Sequence, residues 1–217
     1  MNVKLISYSQ PPAGSELSDD LLQMVAYCAR VSNPGNQINE ATSEKLVKYL
    51  IKHQHWSPLE MVSACLEIDT TRDIGRQLLR HRSFSFQEFS QRYADPTKDM
   101  SFIRRGARLQ DPKNRQNSID AAPQVVQDLW DIKQQEVINK AREVYEWAIK
   151  EGIAKEQARS VLPEGNTMSR LYVNGTLRSW IHYIQLRAEN GTQQEHMDIA
   201  KTVGKVIYEI FPLDDII

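Results

Sequence analysis

The sequence predicts a single α/β domain of the α+β type over residues 1–217, in which a mostly antiparallel sheet packs with helices and a long helical arm. Three observations favour this fold. Apolar and polar residues alternate over 3–8 and 61–69, as in strands with one buried face. Segments with helical periodicity lie between and after these strands. A helical pattern also covers 123–150, which is long enough to form an arm.

The first part of the chain alternates between a strand and two helices. Residues 11–14 contain two prolines and a glycine, which end the first strand. The polar residues 18–20 are placed to cap a helix that runs to Ala29. Thr42 or Ser43 caps a second helix, and the strand at 61–69 follows it. We expect Val62, Ala64, Leu66 and Ile68 on one side of that strand.

A third helix is predicted over residues 71–80, capped by the polar group 69–71. Ile74 and Leu78 share one face of this helix. Another face carries a basic stripe at spacings of four residues, formed by Arg72, Arg76 and Arg80.

The basic stripe leads into residues 80–93, a polar and aromatic segment that we expect to be a loop. Guanidinium groups bind phosphate, and aromatic and hydroxyl groups contact rings, so this composition suits an anionic planar ligand. A solvated basic helix face followed by a surface loop would have the same composition.

The second half of the chain begins with a predicted strand at 102–109 and a polar, aperiodic segment at 111–122. We expect the latter to be a mobile loop and a candidate lid. The long helix starts at Pro123, and Gly152 suits its C-terminal cap. Its apolar positions are Val126, Leu129, Ile132, Val137, Val144, Trp147 and Ala148.

A short helix at 155–161, a strand at 167–173 and a turn at 174–176 follow. Residues 177–188 are helical and aromatic. Thr192 then caps a last amphipathic helix with an apolar stripe formed by Ile199, Val203, Ile207 and Ile210.

The overall charge excludes a general attraction to polyanions. Lysine and arginine number 27 against 28 aspartates and glutamates, so nothing draws the whole chain to nucleic acid or membrane. The N-terminus lacks a charged region followed by an apolar run, and no stretch approaches the ~20 apolar residues of a membrane span. We therefore expect a cytoplasmic protein. Cys28 and Cys65 have apolar neighbours, which favours buried free thiols over a disulfide or a nucleophile.

The central segment carries a recognisable signature. Arg80, His81 and Arg82 are followed, after seven residues, by Ser90. This spacing resembles the signature of the flavin-dependent thymidylate synthases. Three further blocks resemble segments of that family and occur in its order: residues 55–60, the Ala-Arg-x-x-Leu-Pro block at 158–163, and the helical block 174–187.

The resemblance implies a reaction, its cofactors and an assembly. The expected reaction is the reductive methylation of dUMP to dTMP. Methylenetetrahydrofolate would give the carbon, FAD would carry the hydride and NADPH would reduce the flavin. The resemblance also implies a homotetramer whose active sites are shared between subunits. Because the family lacks a cysteine nucleophile, its active site must activate the pyrimidine electrostatically.

The resemblance also assigns the binding residues. It implies FAD contacts for Ser57, Arg80, His81, Arg82, Glu88, Asn174, Arg178 and His182. It implies dUMP contacts for Arg76, Gln77, Arg80, Glu88, Ser90, Gln91, Arg92, Arg159 and Arg187.

Arg187 is the expected catalytic residue, because a guanidinium beside the ring carbonyl stabilises the anion of the activated ring. The alternative is an ordinary cation at a helix C-terminus. Ser90 is expected to bind the nucleotide rather than attack it, since a nucleophilic serine needs an adjacent base. Glu88 either contacts a ligand or pairs with Arg92 or Arg82.

Two other functions remain open from the residues alone. An RNA-binding module would use the arginines together with stacking groups, namely Phe84, Phe86, Phe89 and Tyr93. A metal-dependent phosphohydrolase would use His53, His55 and Glu60. We expect no metal site, because the histidine pair lacks a third ligand at a convincing spacing.

Overall fold

The structure, a computed structural model, describes residues 1–17 and 19–213. Its strands are Asn2–Tyr8 (β1), Ser63–Thr71 (β2), Ser85–Glu88 (β3), Leu109–Gln110 (β4), Ser118–Ile119 (β5) and Met168–Thr176 (β6). The main sheet has the spatial order β1-β2-β6-β3, and every neighbouring pair in it is antiparallel. Strands β4 and β5 form a separate short hairpin. The predicted α/β class with an antiparallel sheet is confirmed.

The described residues also form eight helices. They are Leu21–Ala29 (α1), Ser43–Lys52 (α2), Arg72–Leu78 (α3), Pro96–Asp99 (α4), Gln124–Lys150 (α5), Lys155–Ala158 (α6), Leu177–Arg187 (α7) and Gln194–Ile210 (α8). Short 3-10 turns cover Pro34–Asn36, Glu40–Thr42, Ser57–Glu60 and Arg159–Val161. Asp20 caps α1 by accepting from the backbone N–H of Leu22, whereas Ser18 of the predicted cap lies outside the described residues.

The alternation of β2 determines which side of the sheet is buried. Ala64, Leu66 and Ile68 are almost completely buried, as predicted. They form one core with residues of β6, α1, α7 and α8. Because successive side chains of a strand point to opposite faces, charged residues of β2 lie on the other face. There, Asp69 accepts two hydrogen bonds from Arg170 of β6.

The prediction of a turn at 174–176 is wrong, because β6 continues through Thr176. At this end the strand pairs on both sides: Asn174 lies opposite Cys65 of β2 and opposite Ser85 of β3. Pairing with two neighbours keeps the backbone extended where the local Asn-Gly sequence favours a turn. The segment expected to be a loop at 80–93 accordingly contains β3.

Three further predictions are wrong: the strand at 102–109, the loop at 111–122 and the cap at Thr192. Residues 102–109 do not form a strand: Phe102 makes an isolated bridge to Thr167, and only Leu109 enters a short strand, β4. Arg105 of this segment instead donates hydrogen bonds to Asp73, so side-chain contacts rather than a ladder hold it in place. The predicted loop 111–122 contains β5. Helix α8 begins two residues after the predicted cap Thr192, with Gln193 at its N-cap and no side-chain cap bond.

Helix α5 begins and ends where the sequence predicts. Gly152 adopts a left-handed conformation (φ 79°) just after the helix, and its N–H bonds to the carbonyl of Ile149. Of the apolar positions named from the sequence, only Ala148 is buried. The side chains that pack inwards are Gln134, Ile138, Ala141, Tyr145 and Ala148.

The remaining apolar side chains of α5 form an exposed strip along its side, which we call the α5 surface. At 100° per residue these positions fall within about half of the helix circumference, and Lys140 and Glu143 lie between Val137 and Trp147 on that side. They are Val125, Val126, Leu129, Trp130, Ile132, Val137 and Trp147, and their exposure ranges from 40% to 63%. An apolar area of this kind on a charged helix is typical of a contact with another protein surface.

Candidate active site

The Phe84 ring packs residues 80–84 against the junction of β6 and α7. Its ring lies 4.4 Å from the ring of Trp180. A Cβ atom added to Gly175 would lie 2.3 Å from the Phe84 ring, so only glycine allows this approach. Ser179 also donates a hydrogen bond to the carbonyl of Ser83. These contacts hold residues 80–84 beside α7.

This docking joins His81 to Arg187 at the far end of α7, 106 residues away in the sequence. The Nε of Arg187 donates to the Nε2 of His81 at 3.0 Å. Burial lowers the pKa of His81, and the nearby Arg187 and Arg80 lower it further. The imidazole is therefore neutral near pH 7 and can accept the bond. Within the described residues, the two Nη groups of Arg187 have no hydrogen-bond partner.

Gln77 and His196 lie next to this pair. Gln77 is hydrogen bonded to the Nδ1 of His196 at 3.2 Å and to Gln193 at 2.8 Å. The ring of His196 is fully buried and lies 6.3 Å from the ring of His81. Burial, then Arg187 and His81, lower the pKa of His196 to about 4. We call Gln77, His81, Arg187 and His196 the inner region.

Glu88 pairs with Arg72, and neither predicted partner, Arg92 or Arg82, bonds to it. The Nη1 of Arg72 lies 3.2 Å from the Oε1 of Glu88, close enough for an ion pair although not aligned as a hydrogen bond. Ser169 donates to the same carboxylate oxygen at 3.0 Å. The sequence missed this pair because Arg72 looked like part of an exposed stripe.

The three arginines of the predicted basic stripe have different surroundings. Arg72 is buried, whereas Arg76 is exposed and pairs with Glu164 at 3.0 Å. Arg80 is exposed. Its side chain, like that of Arg82, makes no hydrogen bond or ion pair with any residue that the structure describes. The stripe is therefore not one continuous basic surface.

Ser90, Arg92 and Arg159 form a second group, which we call the outer region. Arg92 pairs with Glu156 at 3.4 Å, and both side chains are more than half exposed. Lys155 donates to the carbonyl of Tyr93 at 2.8 Å. These two contacts attach the loop after β3 to α6, and Arg159 directly follows α6. The structure thus brings the Ser90 loop and the Arg159 block together.

A shallow groove of about 560 Å³ lies beside the outer region, on the face of the sheet away from the core. It is lined in part by Glu88, Ser90, Tyr93 and Tyr172. Gln91 is buried, and its Nε2 has no partner among the described residues. A buried amide without a partner is costly, so a ligand or a second chain would stabilise it.

A third group gathers around the N-terminal half of α7. Arg178 is hydrogen bonded to Glu60 of the turn Ser57–Glu60. The ring of His182, one helical turn later, meets Trp56 edge-on with 4.3 Å between centroids. Burial and the neighbouring Arg178 lower the pKa of His182. Ser57 and Asn174 are exposed. The structure therefore joins the block 55–60 to the block 174–187.

Comparison with known proteins shows the family. The sequence profile described as "Thymidylate synthase complementing protein" matches residues 16–213. A probable flavin-dependent thymidylate synthase of Paramecium bursaria Chlorella virus 1 is 47% identical over 213 residues, which are 98% of this chain and 96% of the relative. The chain belongs to the family of flavin-dependent thymidylate synthases.

Other flavin-dependent thymidylate synthases and a solved structure agree. The enzyme of Synechocystis sp. is 46% identical over 215 residues and matches 98% of this chain and 96% of its own. The crystal structure of a UMP/dUMP methylase, PolB from Streptomyces cacaoi bound with 5-Br dUMP, has a TM-score of 0.79 and 25% identity. The match covers 97% of this chain and 91% of that chain.

The residues named for the two alternative functions lie in surroundings that do not suit RNA stacking or metal binding. Phe84 and Phe86, which an RNA-binding module would use for stacking, pack against the core, and only Tyr93 of that set is strongly exposed (89%). His53 and His55 lie 6.3 Å apart and contact Tyr49. In residues 1–17 and 19–213, no cluster of three or more potential ligands could hold a metal ion.

The cysteines are free thiols, as predicted, although both are half-buried rather than buried. Burial raises the pKa of both Cys28 and Cys65. A raised pKa keeps a thiol protonated and weakens it as a nucleophile. Across the described ranges, no helix is long and apolar enough to span a membrane.

Sequence reasoning missed His196 of the inner region and the residues connected to it through Gln77, namely Arg108, Gln193 and Glu195. A signal for His196 was present: it stands three residues before Ile199 and seven before Val203, on the apolar stripe of the last helix. A histidine in such a stripe must be buried. Its partner Gln77, however, lies 119 residues away, and no local pattern indicates that contact.

Proposed function

We propose that the chain converts dUMP to dTMP at the inner region, and that the outer region binds the phosphate of the nucleotide. The reaction of the chain is the reductive methylation that defines its family, and FAD is the flavin. Methylenetetrahydrofolate as carbon donor and NADPH as reductant complete the proposal, on the strength of the family resemblance.

The hydrogen bond between Arg187 and His81 is the observation that carries this proposal. It occupies the Nε of Arg187 and leaves the two Nη groups for a ligand. A planar guanidinium whose Nε is already hydrogen bonded still offers two parallel N–H groups to a carbonyl or an anion. In a partly buried site, such a cation stabilises the negative charge that develops on an activated pyrimidine ring. Arg187 is therefore the catalytic residue of the proposal.

The residues expected to hold FAD fit that cofactor chemically. Arg80 and Arg82 are exposed cations without partners in the described part of the chain, and a pyrophosphate needs such groups. Ser57 and Asn174 are exposed and add neutral donors. Further donors for the flavin are His81, Arg178 and His182. When bound, FAD supplies the hydride for the reduction.

The residues expected to hold dUMP have the charge for a phosphate. Arg76 and Arg92 form only exposed ion pairs, which contribute about 0–1 kcal/mol each. Exchanging an exposed carboxylate for a phosphate dianion is therefore favourable. Arg159 stands beside them, and Ser90, Gln91 and Gln77 add polar contacts.

Glu88 acts indirectly in the proposed nucleotide site, whereas Ser90 contacts the nucleotide. Glu88 accepts from Ser169 and pairs with the buried Arg72, so it orders the strand that leads to Ser90. Ser90 is exposed, and within the described residues no base hydrogen bonds to its hydroxyl. It therefore binds dUMP and does not attack it.

We also propose the homotetramer that the resemblance implies. The α5 surface is apolar and exposed in the single chain, and the inner and outer regions have no direct hydrogen bond or ion pair to each other. A second copy that covers the α5 surface would complete the site. We further propose that residues 1–217 act as one domain in the cytoplasm. The two free thiols suit a reducing compartment.

A visible absorption spectrum tests the function most directly. The purified protein, supplied with FAD, should show an oxidised-flavin spectrum that bleaches with NADPH under anaerobic conditions. The bleaching rate should change when dUMP is added. A protein that neither carries nor takes up flavin would refute the proposal, and steep salt dependence of RNA binding would then be the next measurement.

A further inference from the structure

A continuous chain of hydrogen bonds runs from the segment before the β4–β5 hairpin to the inner region. Arg108 Nη2 donates to Glu195 Oε1 at 2.6 Å, and Gln193 Nε2 donates to Glu195 Oε2 at 2.9 Å. Gln77 Nε2 donates to Gln193 Oε1 at 2.8 Å. The Oε1 of Gln77 then meets His196 Nδ1 at 3.2 Å. Five side chains from three parts of the sequence are thus connected.

Arg108 and Glu195 determine which group donates in each hydrogen bond of this network. A guanidinium only donates, and an ionised carboxylate only accepts. Gln193 must therefore turn its NH2 group toward Glu195 and its oxygen toward Gln77. Gln77 must then direct its NH2 group toward Gln193 and its oxygen toward His196. An amide oxygen cannot donate, so His196 carries its proton on Nδ1.

We propose that Glu195 is a positioning residue, which fixes the amide orientation of Gln77 and the tautomer of His196 through Gln193, with Arg108 holding its charge in place. None of these roles follows from the nucleotide contacts assigned above. The inference rests on the proposed function at two points, the contact of Gln77 with dUMP and the catalytic role of Arg187.

The surroundings of Glu195 allow it to keep its charge. Its side chain is only 8% exposed, which raises the pKa. The hydrogen bonds from Arg108 and Gln193 lower it by more, so the pKa of Glu195 lies below its ordinary value. Glu195 is therefore a carboxylate near neutral pH, as the direction of the chain requires.

This orientation determines which hydrogen-bonding positions of Gln77 remain free for a ligand. Its NH2 group uses one of two hydrogens for Gln193, and its oxygen uses one of two lone pairs for His196. One donor and one acceptor remain on the same amide. A uracil ring offers an N–H donor beside a carbonyl acceptor, which is complementary to a correctly oriented amide. A flipped amide would exchange donor and acceptor.

At the His196 end of the network, the Nδ1–H tautomer leaves Nε2 as an unprotonated nitrogen inside the protein. The Nε2 of His196 is buried and has no partner among the described residues. His196 is close enough to Arg187 and His81 for both to lower its pKa. A proton on Nε2 would bring a donor, rather than a lone pair, to this cationic neighbourhood. The tautomer thus affects the electrostatics around the catalytic arginine.

Glu195→Gln should reverse the donor and acceptor roles in this hydrogen-bond network. Arg108 would take the amide oxygen of the new side chain, which turns its NH2 group toward Gln193. Gln193 and Gln77 would then flip in sequence, and Gln77 would donate to His196 Nδ1. The proton of His196 would move to Nε2. A purely structural role of Glu195 predicts no such inversion.

Magic-angle-spinning NMR of protein labelled with 15N-histidine measures this tautomer directly. His196→Asn identifies the signal by its loss. The wild-type protein should show His196 as the Nδ1–H form, and Glu195→Gln should show mainly the Nε2–H form. A wild-type Nε2–H tautomer, or an unchanged Nδ1–H tautomer in the variant, would overturn the proposal.

Kinetics give an independent measurement. Glu195→Gln should raise KM for dUMP about tenfold, the size of one to two lost hydrogen bonds, while kcat changes less. Glu44→Gln removes a carboxylate from an exposed pair with Lys48 and should change neither constant. If Glu195→Gln does not fold, Gln193→Met interrupts the chain at its middle. It should leave His196 as a mixture of tautomers and raise KM in the same way; a single Nδ1–H form would contradict the proposal.

The two proposals can fail separately. If the wild-type protein binds flavin and makes dTMP but the tautomer does not respond to Glu195→Gln, only the positioning role is wrong. If the tautomer inverts but the wild-type protein shows no flavin-dependent methylation, the network is real and the proposed function is wrong.

Discussion

The inner and outer regions of the site contain similar polar groups in opposite environments. In the inner region His196 is fully buried, and Gln77 bonds to partners from the same chain. In the outer region Arg92 and Glu156 are 66% and 51% exposed. The comparison teaches that one chain organises the inner region by itself, whereas the outer region is left open for a ligand or a second copy.

The difference also separates stability from binding. Buried polar groups lose both a partner and their solvation when the partner is removed, at a cost of about 1–3 kcal/mol each. Exposed ion pairs contribute about 0–1 kcal/mol because water and salt screen them. Substitutions in the inner region should therefore affect the folded state as well as catalysis. Substitutions in the outer region should affect substrate binding alone.

Arg187→Ala tests the catalytic end of the inner region and should have the largest effect. Removal of the cation that stabilises the ring anion should lower the methylation rate about a thousandfold, while flavin remains bound. The measurement is dTMP formation together with the flavin absorption spectrum. Arg187→Lys is the matched control: it keeps the charge but loses the planar fork, so it should retain only part of the rate. Full turnover in Arg187→Ala would contradict the role.

Leu129→Glu tests whether a second copy completes the outer region. A charge on the α5 surface should prevent association of chains, so the molar mass in solution should fall from that of an oligomer toward that of one chain. Size-exclusion chromatography with light scattering measures this. Activity should fall about a hundredfold or more, while the far-UV spectrum stays unchanged. Ile38→Glu, at an isolated residue that is 66% exposed, should alter neither property. An active monomer would show that one chain suffices.

The buried histidine of the inner region makes stability depend on pH. His196 has a pKa of about 4 in the folded protein against 6.5 ordinarily, so the unfolded chain binds more protons between these values. Its contribution is complete above pH 6.5 and is lost as pH falls toward 4. The loss should reach about 3 kcal/mol, at 1.36 kcal/mol per unit of pKa.

Urea unfolding of the wild-type protein and of His196→Gln at several pH values isolates this contribution. The difference between the two curves should be constant above pH 6.5 and should shrink below it. A difference that does not change between pH 7 and 4.5 would mean that His196 titrates normally and is not held in a closed, buried site.

Ser90→Ala should have the smallest effect, because Ser90 is an exposed contact of the outer region. The loss of one hydrogen bond should raise KM for dUMP roughly three- to tenfold and leave kcat measurable. Thermal stability should not change. Steady-state kinetics with varied dUMP provides the test. Isolation of a covalent adduct between Ser90 and the pyrimidine would show that it is a nucleophile instead.

The sequence predicted most elements because periodicity reflects burial. The alternation of β2 and the stripe of α8 both correspond to buried faces. Prediction failed where contacts between distant residues dominate, as at residues 174–176, where two neighbouring strands extend a local turn sequence. On α5 the sequence showed which positions are apolar but not which of them are buried, because exposed and buried apolar residues have the same pattern.

The candidate site shows the same division. The motifs around His81 and Arg187 could be identified from the sequence through their resemblance to a family, and the fold joins the two side chains by a hydrogen bond. The partner of Glu88 could not be read: the local basic residues suggested Arg82 or Arg92, whereas the fold supplies Arg72 from the preceding helix.

By itself, the sequence determined the fold class, most of the elements and the family, because local periodicity and motif spacing are properties of the chain. Only the tertiary structure decided which cations are buried, which amide orientations are allowed and which apolar surface stays uncovered. Burial and hydrogen-bond direction depend on residues brought together from distant positions, such as Gln77 and His196, and no local pattern encodes that proximity.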